Sequence, residues 1–172
     1  MHCNPIHAII YDAFETSIMK NAVEAIMSRK IETIDVSDSA HAAAKKMRDK
    51  RISSVIVIDK GNKDAAPLGI VTERDLAYRI CAEGASSKDV IVRDIMSSPI
   101  ATIDPGSTVE VAAELMLSNK VRHLLVVGAD NTPTGIVAPT DLNKYLRANI
   151  DMDEVQARIL KAVLDGEEMG EP

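Results

Sequence analysis

Gly69-Ile70-Val71-Thr72-Glu73-Arg74-Asp75-Leu76 returns 66 residues later as Gly135-Ile136-Val137-Ala138-Pro139-Thr140-Asp141-Leu142. Working outward, Ile26-Met27-Ser28 returns as Ile95-Met96-Ser97, and Thr33-Ile34-Asp35 returns as Thr102-Ile103-Asp104, both at a spacing of 69. The first copy therefore carries three extra residues between these landmarks. A repeat of fixed period sets the architecture before any local assignment. The chain reads as a tandem of two equivalent units, each too small to stand as a domain alone. Any ligand is expected where the units meet.

Each copy follows one order. A short extended piece, residues 31–36 or 100–104, leads into a helix. Ser37 or Asp38 is placed to cap the first of these helices, and Gly106 or Ser107 to start the second. Ala40, Ala43, Ala44 and Met47 fall at i, i+3, i+4 and i+7, as do Val109, Ala112, Ala113 and Met116, which makes one buried helical face in each copy. Unbroken β-rich runs follow at 55–58 and 124–127, the pattern of strands buried on both faces. Turns rich in Gly, Asn and Asp at 59–66 and 128–132 lead to third strands at 68–72 and 134–138. A second helix starts at Glu73 or at Pro139, where proline fits because the first helical position needs no N–H partner. The unit is thus β-α-β-β-α. Residues 21–27 read as a helical turn leading into the first unit, and 82–89 as the linker. Ile6, Ile9, Ile10 and Phe14 predict an N-terminal helix, and Val155, Ile159, Leu160 and Val163 predict another over 152–164. The acidic residues 165–172 read as a loosely ordered tail.

Composition narrows the function. The chain has 172 residues, 46 % of them hydrophobic, which suits one compact domain or one tandem pair. Aromatics are only 2 % with no Trp, which argues against base-stacking platforms for single-stranded nucleic acid. The net charge is −6 and no Lys/Arg run resembles a phosphate-backbone footprint, so DNA is not expected as a partner. Two cysteines, Cys3 and Cys81, make neither a disulfide framework nor a zinc set. No apolar run reaches the roughly 20 residues of a membrane helix, and the N-terminus has no signal-peptide pattern. These features predict a soluble, cytoplasmic protein. His2, Cys3 and His7 match no standard metal spacing, and the methionines fall on packing faces. No nucleophile–base pair or phosphate-binding Gly-rich loop is present, so the expectation is not an enzyme.

The β-α-β-β-α repeat, the leading Ile-Met-Ser segments and the Gly-Ile-Val-Thr-Glu-Arg-Asp-Leu corner together resemble the CBS domain, which occurs in pairs as a Bateman module. The resemblance covers residues 22–147. It implies an α+β fold of two CBS repeats packed with pseudo-twofold symmetry and flanked by N- and C-terminal helices. The expected divisions are a helical extension at 1–21, a first repeat at 22–83, a second at 90–147, and a helix with acidic tail at 151–172. The resemblance also implies a regulatory module that binds AMP, ADP or ATP between its repeats and pairs as a homodimer. The nucleotide is then a regulatory ligand, no cofactor is required, and the regulated protein is unknown. The alternatives are a structural dimerisation module without nucleotide, or a pair that binds S-adenosylmethionine or NAD.

The corner residues suit that chemistry on their own account. Thr72 ends a strand and Asp75 lies in the first turn of the next helix, whose free N–H groups and partial positive charge attract phosphate. Ionised Asp75 accepts two ribose hydroxyls at once, and Arg74 meets phosphate charge. The same residues also fit a plain helix cap. The second copy keeps Asp141 but has Ala138, Pro139 and Thr140 where the first has Thr72, Glu73 and Arg74. The resemblance implies crossed sites. Asp75 would face Ile100, Ala101, Val121, Arg122 and His123, while Asp141 and Thr140 would face Ile31, Glu32, Ile52 and Ser53. Charge and hydroxyl placement rank the Asp75 site as the better anion binder, with Ala138 and Glu32 weakening the other.

Overall fold

A computed structural model describes residues 21–62 and 66–149. The helices expected around Ile9 and Ile159, the acidic tail and the His2, Cys3 and His7 group lie outside the described residues. The first repeat contains β1 (Thr33–Asp35), α2 (Ala40–Lys50), β2 (Ser54–Ile58), β3 (Gly69–Thr72) and α3 (Glu73–Leu76), which continues as a π-helical turn over Ala77–Cys81. The second contains β4 (Thr102–Ile103), α5 (Val109–Ser118), β5 (Leu124–Val127), β6 (Pro133–Val137) and α6 (Pro139–Asn149). Two short helices, α1 (Val23–Ile26) and α4 (Val92–Ile95), precede the repeats. Each sheet has three strands in sequence order, the first pair parallel and the second antiparallel. The helix between the parallel strands supplies the crossover that parallel pairing requires. This is the expected α+β pair of repeats.

Helices α2 and α5 bury Ala40, Ala43 and Met47, and Val109, Ala112 and Met116, the expected stripes apart from the half-buried Ala44 and Ala113. Their caps differ from expectation. Ser39 Oγ accepts from Ala42 N, and Thr108 Oγ1 accepts from Val111 N. The residues first expected as caps are consumed in tight turns. Asp35 accepts from the backbone and hydroxyl of Ser37, and Asp104 accepts from Gly106 N at 2.7 Å. Each helix therefore begins after the turn closes.

The central strands are buried on both faces. Val55, Val57 and Val71 point into one core with α2, while Leu124, Val126 and Val137 point into the other with α5. The opposite faces, Ile56, Ile70 and Leu125, meet between the two sheets together with Ile31, Ile58, Ile100, Val127 and Ile136. This apolar layer joins the repeats.

The leading segments are exchanged. The turn at 21–27, read from the sequence as part of the first unit, places Val23 and Met27 in the second core. Val92 and Ile95, which lead into the second unit, lie in the first core. Helical periodicity reports that a face is apolar but not which core receives it. The exchange is held by backbone pairs: Ser28 bonds Ile136 in both directions at 2.9 Å, and Ser97 bonds Ile70 in both directions at 2.8 and 3.0 Å. Beside each pair a methionine lies over a glycine. A Cβ on Gly135 would come within 2.4 Å of Met27 Sδ and 3.0 Å of the Ser28 carbonyl, and one on Gly69 within 2.8 Å of both Met96 Sδ and the Ser97 carbonyl. Gly135→Ala is expected to destabilise the fold by roughly 1–3 kcal/mol, the usual cost of overpacking. In urea unfolding, Met27→Ala combined with Gly135→Ala should cost less than the sum of the single changes, because the sulfur clash is gone.

Candidate functional site

At the end of β6, Ala138 N donates to Asp141 Oδ2 at 3.0 Å, which folds the carboxylate over the start of α6. The other oxygen has one partner among the described residues, Lys144 Nζ, at 3.7 Å on a well-exposed side chain. In front of it opens a cleft of about 480 Å³. Ile31, Glu32, Ile52, Ser53 and Thr140, all expected for this site, line it with Asp141. The walls also carry Lys30, Arg48, Arg51, Glu73 and His123, which the sequence reading did not assign here. Arg48 lies in the last turn of α2, where its guanidinium donates to Asp49 Oδ1 at 2.7 and 2.9 Å, and Arg51 follows the helix in the left-handed conformation at φ 54°. The signal that could have found them is the i, i+3 spacing of two arginines at a helix terminus. Glu32 is not a bare acid in this cleft. Lys30 and Lys46 each lie 3.5 Å from its carboxylate. Desolvation alone would raise its pKa, but Lys50, Lys30 and Lys46 together hold it below the ordinary glutamate value.

The Asp75 corner is built differently. Thr72 N and Thr72 Oγ1 both donate to Asp75 Oδ2, at 2.8 and 2.7 Å, and Thr72 Oγ1 accepts from Asp75 N. This is a reciprocal capping box. Ser97 Oγ donates to Oδ1 at 3.2 Å, and the Arg79 guanidinium lies 3.8 Å from the same oxygen. Asp75 is buried with both oxygens engaged. The cleft beside it measures about 120 Å³ and is lined by Thr72, Arg74, Asp75, Ala101, Val121, Arg122 and His123. Ile100 is not on its wall and packs between the sheets instead. Arg74 lies 5.4 Å from the Tyr78 ring centroid, in a cation–π contact.

Two features set the Asp75 corner apart. Its carboxylate is spent on the cap, and its cleft is a quarter the size of the other. Its surplus of positive charge from Arg74, Lys120 and Arg122 does remain. The Thr72 hydroxyl, read as a ligand donor, is turned onto Asp75, while Ala138, read as a loss, leaves Asp141 less encumbered. Among the described residues no group of three His, Cys, Asp or Glu side chains is arranged to hold a metal ion, and no helix is long and apolar enough to cross a membrane.

The sequence profile of the CBS domain matches residues 23–82 and again residues 92–148. The chain belongs to the CBS-domain family. It is 34 % identical over 133 residues to an uncharacterised protein of Methanopyrus kandleri, a match covering 76 % of this chain and 66 % of that one, just under two thirds. Among solved structures it resembles a hexameric CBS-CP12 protein from bloom-forming cyanobacteria, at 26 % identity and a TM-score of 0.66, covering 87 % of this chain and 88 % of that one. A CBS domain protein of Pyrobaculum aerophilum, solved as a complex with AMP, shares the fold at 24 % identity and a TM-score of 0.62, over 70 % of this chain and 88 % of that one.

In this CBS pair His123 stands between the two clefts and lines both. It is 9 % exposed. Nε2 lies 3.1 Å from Ser53 Oγ of the other repeat, and Nδ1 is buried without a partner. Burial, then the neighbouring Arg122 charge, holds its pKa down at about 4, against the opposing pull of Asp141 and Asp75. The imidazole is therefore neutral at pH 7. Because the folded pKa lies below the unfolded one, the unfolded chain binds more protons between them, and stability falls as pH drops through that window. Lowering the pH from 7 to 5, above the carboxylate range, is expected to cost roughly 2 kcal/mol through this residue. Urea melts at the two pH values should show the loss in the native chain and a flatter dependence in His123→Gln.

Proposed function

We propose that this CBS pair is a regulatory module, not an enzyme, and that it takes an adenine nucleotide in the cleft closed by Asp141. The observation that carries the reading is an open cleft whose walls come from both repeats and include Asp141. The volume, about 480 Å³, lies in the range of small-molecule sites, whereas the Asp75 cleft falls below it. Asp141 would accept the two ribose hydroxyls, the backbone at Ile31 and Ile52 would read the adenine edge, and Lys30, Arg48 and Arg51 would meet the phosphates. The Pyrobaculum AMP complex guides the choice of first ligand. Binding regulates a partner only to the extent that the ligand favours one arrangement of the repeats over another.

Calorimetry with AMP, ADP and ATP tests this. Asp141→Ala should weaken the main binding event at least tenfold, since losing a hydrogen bond to a charged group costs about 1.5–3 kcal/mol. Asp75→Ala should lower the melting temperature, because it dismantles a cap, and leave the main event in place. Absence of both heat and thermal shift with all three nucleotides at millimolar concentration would leave the structural-module reading standing instead.

We also propose a homodimer. Tyr78, Val111, Leu117 and Leu146 leave apolar side chains on exposed helical surface, Leu117 at 80 % exposure, and closed twofold pairing is the commonest way to cover such faces. Light scattering at tens of micromolar protein should return twice the chain mass; the monomer mass would refute it.

A further inference from the structure

Among the described residues His123 alone belongs to the walls of both clefts. The pseudo-twofold gives it no counterpart, since the equivalent position 69 residues earlier is Ser54. A buried polar side chain needs partners for its polar atoms, and this one has a single contact, Nε2 to Ser53 Oγ, with Nδ1 left over. A neutral imidazole carries one N–H. With Nε2 occupied by Ser53, one ring nitrogen remains for a ligand, and it meets a ligand atom in only one cleft at a time.

We propose that His123 is a ligand contact shared by the two clefts, so that occupying one weakens binding in the other by at least tenfold. This rests on the reading of the Asp141 cleft as a nucleotide site, and it adds the smaller Asp75 cleft, whose walls carry Arg74, Lys120 and Arg122, as the place of a second and weaker-bound AMP. One further feature gives the same sign. Asp75 lines one cleft and Asp141 the other, so a ligand that draws the ring towards one carboxylate draws it from the other.

The test is calorimetry of the full chain with AMP, in the wild type, Asp141→Ala, Asp75→Ala and His123→Phe. In the wild type the second equivalent should bind at least tenfold more weakly than the same cleft binds when the other has been disabled by its Asp→Ala change, a factor worth about 1.4 kcal/mol. In His123→Phe the two events should become independent. If the first equivalent fills one cleft and the other stays empty even after the first is disabled, the proposal is overturned. Equal affinities in the wild type and the single-cleft variants also overturn it, while leaving the nucleotide reading intact. No heat in any variant overturns the nucleotide reading, and this proposal with it. A wild-type readout guards against misfolded variants. The His123 ring-proton signals should move with the first equivalent of AMP and hold that position through the second; movement with both equivalents contradicts sharing.

Discussion

The structure depends on the place where each leading segment crosses to the other repeat. Met27 lies over Gly135 and Met96 over Gly69, close enough that any Cβ on either glycine would overlap sulfur or backbone. The same approach lets Ser28 and Ser97 lend backbone hydrogen bonds to Ile136 and Ile70. Each three-stranded sheet thereby gains an extra edge from the other repeat, and each core gains two side chains, Val23 and Met27 or Val92 and Ile95. Neither half has a complete core without the other. The glycines that open the Gly-Ile-Val segments are thus accounted for by packing, with no ligand needed to explain them.

That constraint also shapes the clefts. Each corner sits at the end of the strand whose edge the crossing segment covers. At β3 the crossing segment brings Ser97 Oγ onto Asp75, and Arg79 binds the carbonyls of Ile95 and Met96 while approaching the same carboxylate. Thr72 completes the set, so the corner is closed by its own residues. At β6 Ala138 offers no hydroxyl, and Asp141 keeps only a backbone donor and an exposed lysine. Two corners of common sequence pattern therefore differ in what they leave available. One carboxylate has side-chain partners on both oxygens, and the other lines the larger cleft.

The order of elements was legible because each copy states it separately, and the two statements agree on strand ends and helix starts to within a residue or two. The helix caps were not, because Ser37 and Gly106 satisfy the sequence rule for a cap while local turns at Asp35 and Asp104 claim them first. The exchange of leading segments was hidden because an apolar stripe has no address. At the site, the crossed pairing of Asp141 with Ile31, Glu32, Ile52 and Ser53 was carried by family resemblance rather than by any spacing. The roles of Thr72 and Ala138 were open because a hydroxyl at a strand-to-helix junction suits a cap as well as a ligand. The geometry around Asp75 shows the hydroxyl engaged in a capping box. Arg48 and Arg51 escaped notice because their positions in the second copy hold Leu117 and Lys120, so a reading guided by what the copies share passes over them.

What the copies do not share follows a physical logic. The buried positions repeat closely, as Met47 with Met116 and Val57 with Val126, because both cores must reach the same packing density. The cleft positions diverge: Ser53 stands against Arg122, Ser54 against His123, Arg48 against Leu117. Packing constrains the first class through every neighbour at once, while residues at a cleft wall answer to fewer contacts and are free to differ. A twofold scaffold with unequal walls thus carries two unequal clefts. Because the Asp141 cleft draws its walls from both repeats, any ligand held there binds the joined state and not the separated one. Its binding free energy adds directly to the stability of the interface between the sheets. The apolar layer of Ile56, Ile70 and Leu125 and the cleft above it are therefore thermodynamically linked, and strain in either is felt in the other.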